Sequence, residues 1–161
     1  MSARHPRILS VQSHVVHGCV GNKSSSLPLQ LLGYEVDAIN TVQFSNHTRY
    51  PSFAGSRLGG REMRDLVAGM DANRFFALYT HLLTGYVGSL EVLLEIAALA
   101  VRLRNDSPGI FITIDVRTVS NQRLIATACD GGRRPVVCAR KLRASLPQSG
   151  CLCGPGYSER L

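Results

Sequence analysis

Long apolar runs are missing from this chain. The most apolar stretch, Leu90 to Val101, is too short to cross a bilayer and carries Glu91 and Glu95. Met1 to Pro6 is polar and no apolar segment follows it, so a secretory leader is not expected. The expectation is a soluble, cytoplasmic protein with reduced cysteines and no membrane partner. Closely spaced cysteine pairs are missing too. Cys129, Cys138, Cys151 and Cys153 are separated by eight, twelve and one residues, unlike the short, repeated knuckles of a zinc site. His14, His17 and His47 have no cysteine or carboxylate at ligand spacing, so no metal site is expected from the residues alone.

Acidic residues are scarce in one region only. Residues 1–115 hold ten Lys and Arg against nine Asp and Glu, whereas residues 116–161 hold eight against Asp130 and Glu159. The high pI therefore belongs to the tail, and a whole-chain case for nucleic-acid binding fails. Aromatics are also few, and none interleaves the run from Arg133-Arg134 to Arg140-Lys141-Leu142-Arg143. A solvated basic tail is the simpler reading, with no nucleic-acid partner expected. The chain divides accordingly into an ordered portion, 1–115, and a Cys-, Arg-, Gly- and Pro-rich tail, 116–161, expected to be irregular.

The ordered portion reads as alternating strands and helices. Arg7 to Ser13 starts as a β-rich run and ends in polar residues; Gly18-Cys19-Val20-Gly21-Asn22 is a glycine-containing turn. The pattern predicts a helix from about Asn22 to Leu32, stopped by Gly33. A strand is predicted over Glu35 to Phe44, followed by a long polar loop from Ser45 to Gly60. Met63, Leu66, Val67 and Met70 lie on one helical face, predicting a helix from Arg61 to Asn73. Phe75 to Leu83 reads as a buried strand ending in Thr84-Gly85-Tyr86. Ser89 can cap a helix running to about Arg104, and Ile110 to Ile114 is a β-branched strand ending at Asp115.

Such alternation implies right-handed crossovers and a mostly parallel sheet, which binds ligands beyond the carboxyl ends of its strands. That rule gathers Ser13, Asn46-His47-Thr48, Thr84-Gly85-Tyr86 and Asp115 along one edge. The rival reading is structural: strand ends in any α/β protein carry polar residues. Gly21-Asn22-Lys23-Ser24 lacks the G-x-x-x-x-G-K-[ST] spacing of a phosphate loop, so a pocket-wall turn is the better description.

The residues also carry a family likeness. Ile8-Leu9-Ser10-Val11-Gln12-Ser13-His14-Val15-Val16, Gly18-Cys19-Val20-Gly21-Asn22, Pro28-Leu29-Gln30-Leu31-Leu32-Gly33, Asn40-Thr41-Val42-Gln43-Phe44-Ser45-Asn46-His47-Thr48 and Leu83-Thr84-Gly85-Tyr86 closely resemble the pyridoxal kinase family. The resemblance covers about residues 7–115, well under half of the family's usual chain. It implies a ribokinase-like, Rossmann-type α/β fold and ATP-dependent phosphorylation of the 5′-hydroxyl of pyridoxal, with Mg²⁺ and a monovalent cation. It also implies that Ser13 and Thr48 contact the substituents of the pyridoxal ring. Val42, Phe44, His47 and Tyr86 would line the same pocket, and Asp115 would lie by the nucleotide phosphates. Homodimers are a further implication.

The likeness stops at Asp115. The family continues with a proline, a valine and a glycine-aspartate motif; this chain reads Val116-Arg117-Thr118-Val119-Ser120. The family's lid tyrosine, adenine-binding strands and Gly-Thr-Gly-Asp motif, which supplies the catalytic base, have no counterpart. Phosphoryl transfer depends on positioning, on charge stabilisation and on a carboxylate near the attacking hydroxyl. The expectation is therefore an inactive or strongly impaired kinase, or a regulatory form that pairs with an intact one.

Overall fold

The computed structural model describes residues 5–117, 123–128 and 140–142. β1 (Arg7–Val15) leads through a glycine turn into α1 (Gly21–Leu31) and then β2 (Glu35–Phe44). β3 (Gly55–Arg57) and α2 (Gly60–Ala72) follow, then a short 3₁₀ helix (Phe75–Leu78) and β4 (His81–Thr84). α3 (Leu90–Asp106) leads to β5 (Phe111–Arg117), β6 (Arg123–Ala128) and β7 (Arg140–Leu142). The strands form one sheet in the order β3-β2-β1-β4-β5-β6-β7. The centre, β2-β1-β4-β5, is parallel, and β3, β6 and β7 are added antiparallel.

Alternation decides which side of the sheet each residue meets. Leu9 and Val11 of β1, Ile39 of β2, Leu82 of β4 and Ile112 of β5 share one core. Met63 of α2 and Val92, Ile96, Leu99 and Leu103 of α3 complete it, with Phe76 and Tyr79 beneath. The helical positions recur at three- and four-residue steps, as one face of a helix requires. Each fully buried aliphatic side chain here contributes roughly 1.5–3 kcal/mol. α3 begins where Ser89 Oγ accepts the Val92 N–H at 3.2 Å, and α2 where Glu62 accepts the Gly59 N–H at 2.8 Å. Arg64–Glu95 and Arg102–Asp71 ion pairs tie α2 to α3.

Several sequence expectations need amendment. Phe75 to Leu83 is not one strand. Arg74 takes a left-handed conformation (φ 57°), a single 3₁₀ turn follows, and only His81–Thr84 joins the sheet. Burial of Phe76 and Tyr79, three residues apart, explains the turn better than alternation does. The polar loop after β2 contains β3, which hydrogen-bonds to the end of β2. β5 runs past Asp115 to Arg117. The tail is not irregular throughout, since Arg123-Leu124-Ile125-Ala126-Thr127-Ala128 forms β6 against β5, and β7 pairs with β6. A β-branched, apolar run beside an open strand edge readily completes a ladder. Cys129, Cys138, Cys151 and Cys153 lie outside the described residues.

Candidate functional site at the carboxyl edge of the sheet

The strand registers set the site. Val11 is level with Ile39, and also with Thr84, which is level with Ile114. Ser13 and Tyr86 therefore lie two residues beyond that line, and Asp115 one residue beyond it. Asp115 itself sits within β5, level with Ile125 of β6. Its side chain lies outside the described part of the structure.

Ser13 is buried against the glycine turn. Gly21 has φ +48°, and a Cβ there would stand 2.1 Å from the Ser13 carbonyl oxygen and 2.6 Å from Ser13 Oγ. Only glycine permits this approach, so the turn and Ser13 specify each other. The next residue, Asn22, is buried among polar groups: Ser10 Oγ donates to its Oδ1 at 2.7 Å. Its Nδ2 lies 2.8 Å from Asn40 Oδ1, 2.9 Å from the Ile39 carbonyl and 3.3 Å from the Gln12 carbonyl. Gln12 Nε2 donates to Ser10 Oγ and Ser25 Oγ at 2.9 and 3.0 Å.

Val42 and Phe44 reach the site through an irregularity in β2. From Gln12 to His14, β1 advances two residues while β2 advances three, from Asn40 to Gln43. One extra residue in a strand moves every later side chain to the opposite face. Ile39, Thr41, Val42 and Phe44 are all buried as a result, breaking the simple alternation. Val15, Val42 and Phe44 form a small apolar cluster against which Val20 and the half-buried Tyr86 pack. Thr41 Oγ1 donates to the Tyr86 carbonyl at 2.7 Å, fixing that turn to β2. Phe53 lies 5.1 Å from Phe44, and the Arg57 guanidinium stands 5.6 Å over the Phe44 ring. Val15, Val20, Thr41, Phe53 and Arg57 escaped the sequence reading, because only the shifted register and the return of β3 bring them here.

His47 and Thr48 occupy the exposed loop that follows β2. Its mouth is closed by the Ser45 N–H donating to the Ala54 carbonyl at 2.8 Å, and the Arg49 N–H donates to His47 Nδ1 at 3.1 Å. The loop is anchored to the end of β1 by the His17 N–H, which donates to the Ser45 carbonyl at 2.8 Å, and by an edge contact of His17 with Tyr50. So Ser13, Val42, Phe44 and Tyr86 meet at one edge, and His47 and Thr48 stand on the loop that rises beside Phe44.

A cavity of about 560 Å³ lies at the opposite, amino-terminal edge, lined by Arg7, Glu35, Tyr79, Thr80 and Ser107 among others. Its polar groups are matched to one another. Arg7 pairs with Glu35 and Asp37, and the Tyr79 hydroxyl donates to Asp37 at 2.8 Å. Burial, and then that hydrogen bond, raise the Tyr79 pKa above its ordinary value. It is a structural cluster at the edge opposite the candidate site. Among the described residues no three His, Cys, Asp or Glu side chains converge as a metal site.

Comparison with known proteins points to one family. Pyridoxal kinase of Arabidopsis thaliana is 52% identical over 109 residues, covering 68% of this chain and 35% of that protein. Human pyridoxal kinase is 39% identical over the same length, again covering 68% and 35%. Pyridoxal kinase of Leishmania donovani, solved with ADP and pyridoxine, superposes with a TM-score of 0.66 at 39% identity, covering 68% of this chain and 39% of its own. The chain belongs to the pyridoxal kinase family, which it matches over 68% of its length. Its fold is accordingly the ribokinase-like α/β architecture. It spans little more than a third of the length of the curated relatives it matches. No protein-family model matches the chain.

Proposed function

We propose that this chain carries the vitamer-binding part of a pyridoxal kinase and is inactive or strongly impaired in phosphorylating the 5′-hydroxyl of pyridoxal. The observation that carries the first half is the convergence of Ser13 with the Val42–Phe44–Tyr86 cluster at the carboxyl edge. Ser13 supplies a hydroxyl for a ring substituent, the cluster supplies an apolar wall for a flat heterocycle, and Thr48 adds a second hydroxyl from the loop. Solved relatives from Leishmania donovani hold ADP with pyridoxamine or pyridoxine.

The second half rests on the residues after Asp115, where Val116-Arg117-Thr118-Val119-Ser120 stands in place of the glycine-aspartate motif that the family resemblance implies. ATP would bring the phosphoryl group, and Mg²⁺ with a monovalent cation would neutralise its charge. Asp115 is the residue that the resemblance would place by the phosphates, and no Gly-Thr-Gly-Asp run follows it in the sequence. The test is to incubate the purified chain with ATP, Mg²⁺, K⁺ and pyridoxal beside a full-length kinase, and to measure pyridoxal binding separately. Binding without pyridoxal 5′-phosphate formation is the expected result. Turnover comparable to the control overturns the impairment, and absence of binding overturns the pocket.

A second reading is favoured by α1. Leu27, Leu31 and Leu32 are 62, 79 and 74% exposed along the second half of α1 and at its C-cap. Apolar surface of this kind marks an interface. In this reading the chain is a non-catalytic regulatory partner, docking through α1 on an intact kinase or a second copy. Co-purification with full-length kinase supports it; strictly monomeric behaviour in the mixture excludes it.

A further inference from the structure

We propose that Asn22 is a positioning residue whose carboxamide locks the extra residue of β2, and so places the pocket wall. The proposal rests on the reading above that this edge holds pyridoxal. Its observation is the location of one buried side chain at the step in register. Nδ2 reaches the Gln12 carbonyl on β1 together with the Ile39 carbonyl and Asn40 Oδ1 on β2, the last residues of each strand before the shift. Oδ1 accepts from Ser10, which is itself bonded by Gln12. Ser10 and Asn22 are both 2% exposed or less, so water does not substitute for these partners.

The consequence reaches the site by two routes. Asn22 follows Gly21, whose backbone lies against Ser13, so holding Asn22 between β1 and β2 holds Gly21 on Ser13. Holding Ile39 and Asn40 fixes where the extra residue falls, and so keeps Val42 and Phe44 on the side of Tyr86. Only a group that donates toward several oxygens while accepting on its other side satisfies both. A carboxylate has the same shape but presents lone pairs to those oxygens. Once protonated it regains one O–H donor, and burial raises the pH at which this happens.

The variants Asn22→Asp and Asn22→Ser test this, with pyridoxal binding by titration and the Val42–Tyr86 contact by NMR as independent readouts. Asn22→Asp is expected to bind pyridoxal at least about tenfold more weakly at pH 8, from the loss of buried hydrogen bonds. It is expected to recover toward the wild type, measured at each pH, as the pH is lowered. Both variants should lose the Val42–Tyr86 contact at pH 8 while Leu9, Leu82 and Ile96 keep theirs. A preserved Val42–Tyr86 contact, or binding equal to wild type at pH 8, overturns the proposal. Loss of all dispersed signals in both variants at every pH also overturns it, since Asn22 would then serve the whole fold. If the wild type binds no pyridoxal, the pocket reading fails, and the Val42–Tyr86 contact still decides the role of Asn22.

Discussion

The two faces of this sheet are built on different principles. Toward α2 and α3, Leu9, Val11, Leu82 and Ile112 meet Met63, Ile96, Leu99 and Leu103 in a continuous apolar core. Toward α1, Ser10, Gln12 and Asn40 meet Asn22 and Ser25 through directed hydrogen bonds. The apolar face supplies stability in proportion to buried area and tolerates swaps of similar volume at modest cost. The polar face contributes less net free energy per contact, because each bond replaces one to water. What it supplies is geometry, since hydrogen bonds fix distance and direction where packing does not. The candidate pocket lies where the polar face ends, at the step in β2.

Four substitutions or conditions sharpen that contrast. Ile96→Ala strikes the apolar face, where it should lower unfolding free energy by about 2–5 kcal/mol in urea titration and leave the Val42–Tyr86 contact intact in the folded fraction. Gly21→Ala strikes the site. A Cβ 2.1 Å from the Ser13 carbonyl forces the turn or Ser13 to move, so pyridoxal binding should be lost, with a stability cost of about 1–3 kcal/mol. Were Gly21→Ala to bind as the wild type does, Ser13 would not be the anchor. Ser89→Ala removes the α3 cap on the apolar side and should cost about 1 kcal/mol by thermal melting, with binding unchanged.

The smallest effect concerns His81, which meets Tyr34 edge-on and Phe111 at a tilt, with ring centroids 5.3 and 5.8 Å away, on the α1 side of the sheet. Burial lowers its pKa below the ordinary 6.5. The folded state thus binds the proton less readily than the unfolded one. The corresponding stability is present above about pH 6.5 and is lost as pH falls through the lower folded value. Melting temperatures of wild type and His81→Phe, measured from pH 8 to pH 5, should show a steeper fall for wild type. Parallel curves would mean that His81 titrates as in solvent.

Much of this was readable from the residues. The strand from Glu35 to Phe44 has the predicted bounds, and Ser89 caps the helix it was expected to cap. Gly33, with φ +87°, follows α1 where a C-terminal glycine was expected. These features depend on near neighbours, so local propensity and period reveal them. The strand predicted over Phe75 to Leu83 failed because a short apolar run has no period that separates a turn of helix from a strand. In the tail, β6 became visible only because β5 offers it an edge.

The sequence by itself determined the alternating α/β order, the Ser89 cap of α3, the glycine that ends α1 and the family likeness of residues 7–115. Each follows from residue type and spacing along the chain, whereas Leu66, which the helical pattern placed on the apolar face of α2, is exposed. Tertiary structure alone decided that β2 carries an extra residue after Asn40, that Thr41 holds the Tyr86 turn, and that Asn22 joins β1 to β2. Those bonds link residues up to 45 positions apart. A hydrogen bond forms only where folding brings donor and acceptor within about 3 Å, a condition that no pattern along the chain encodes.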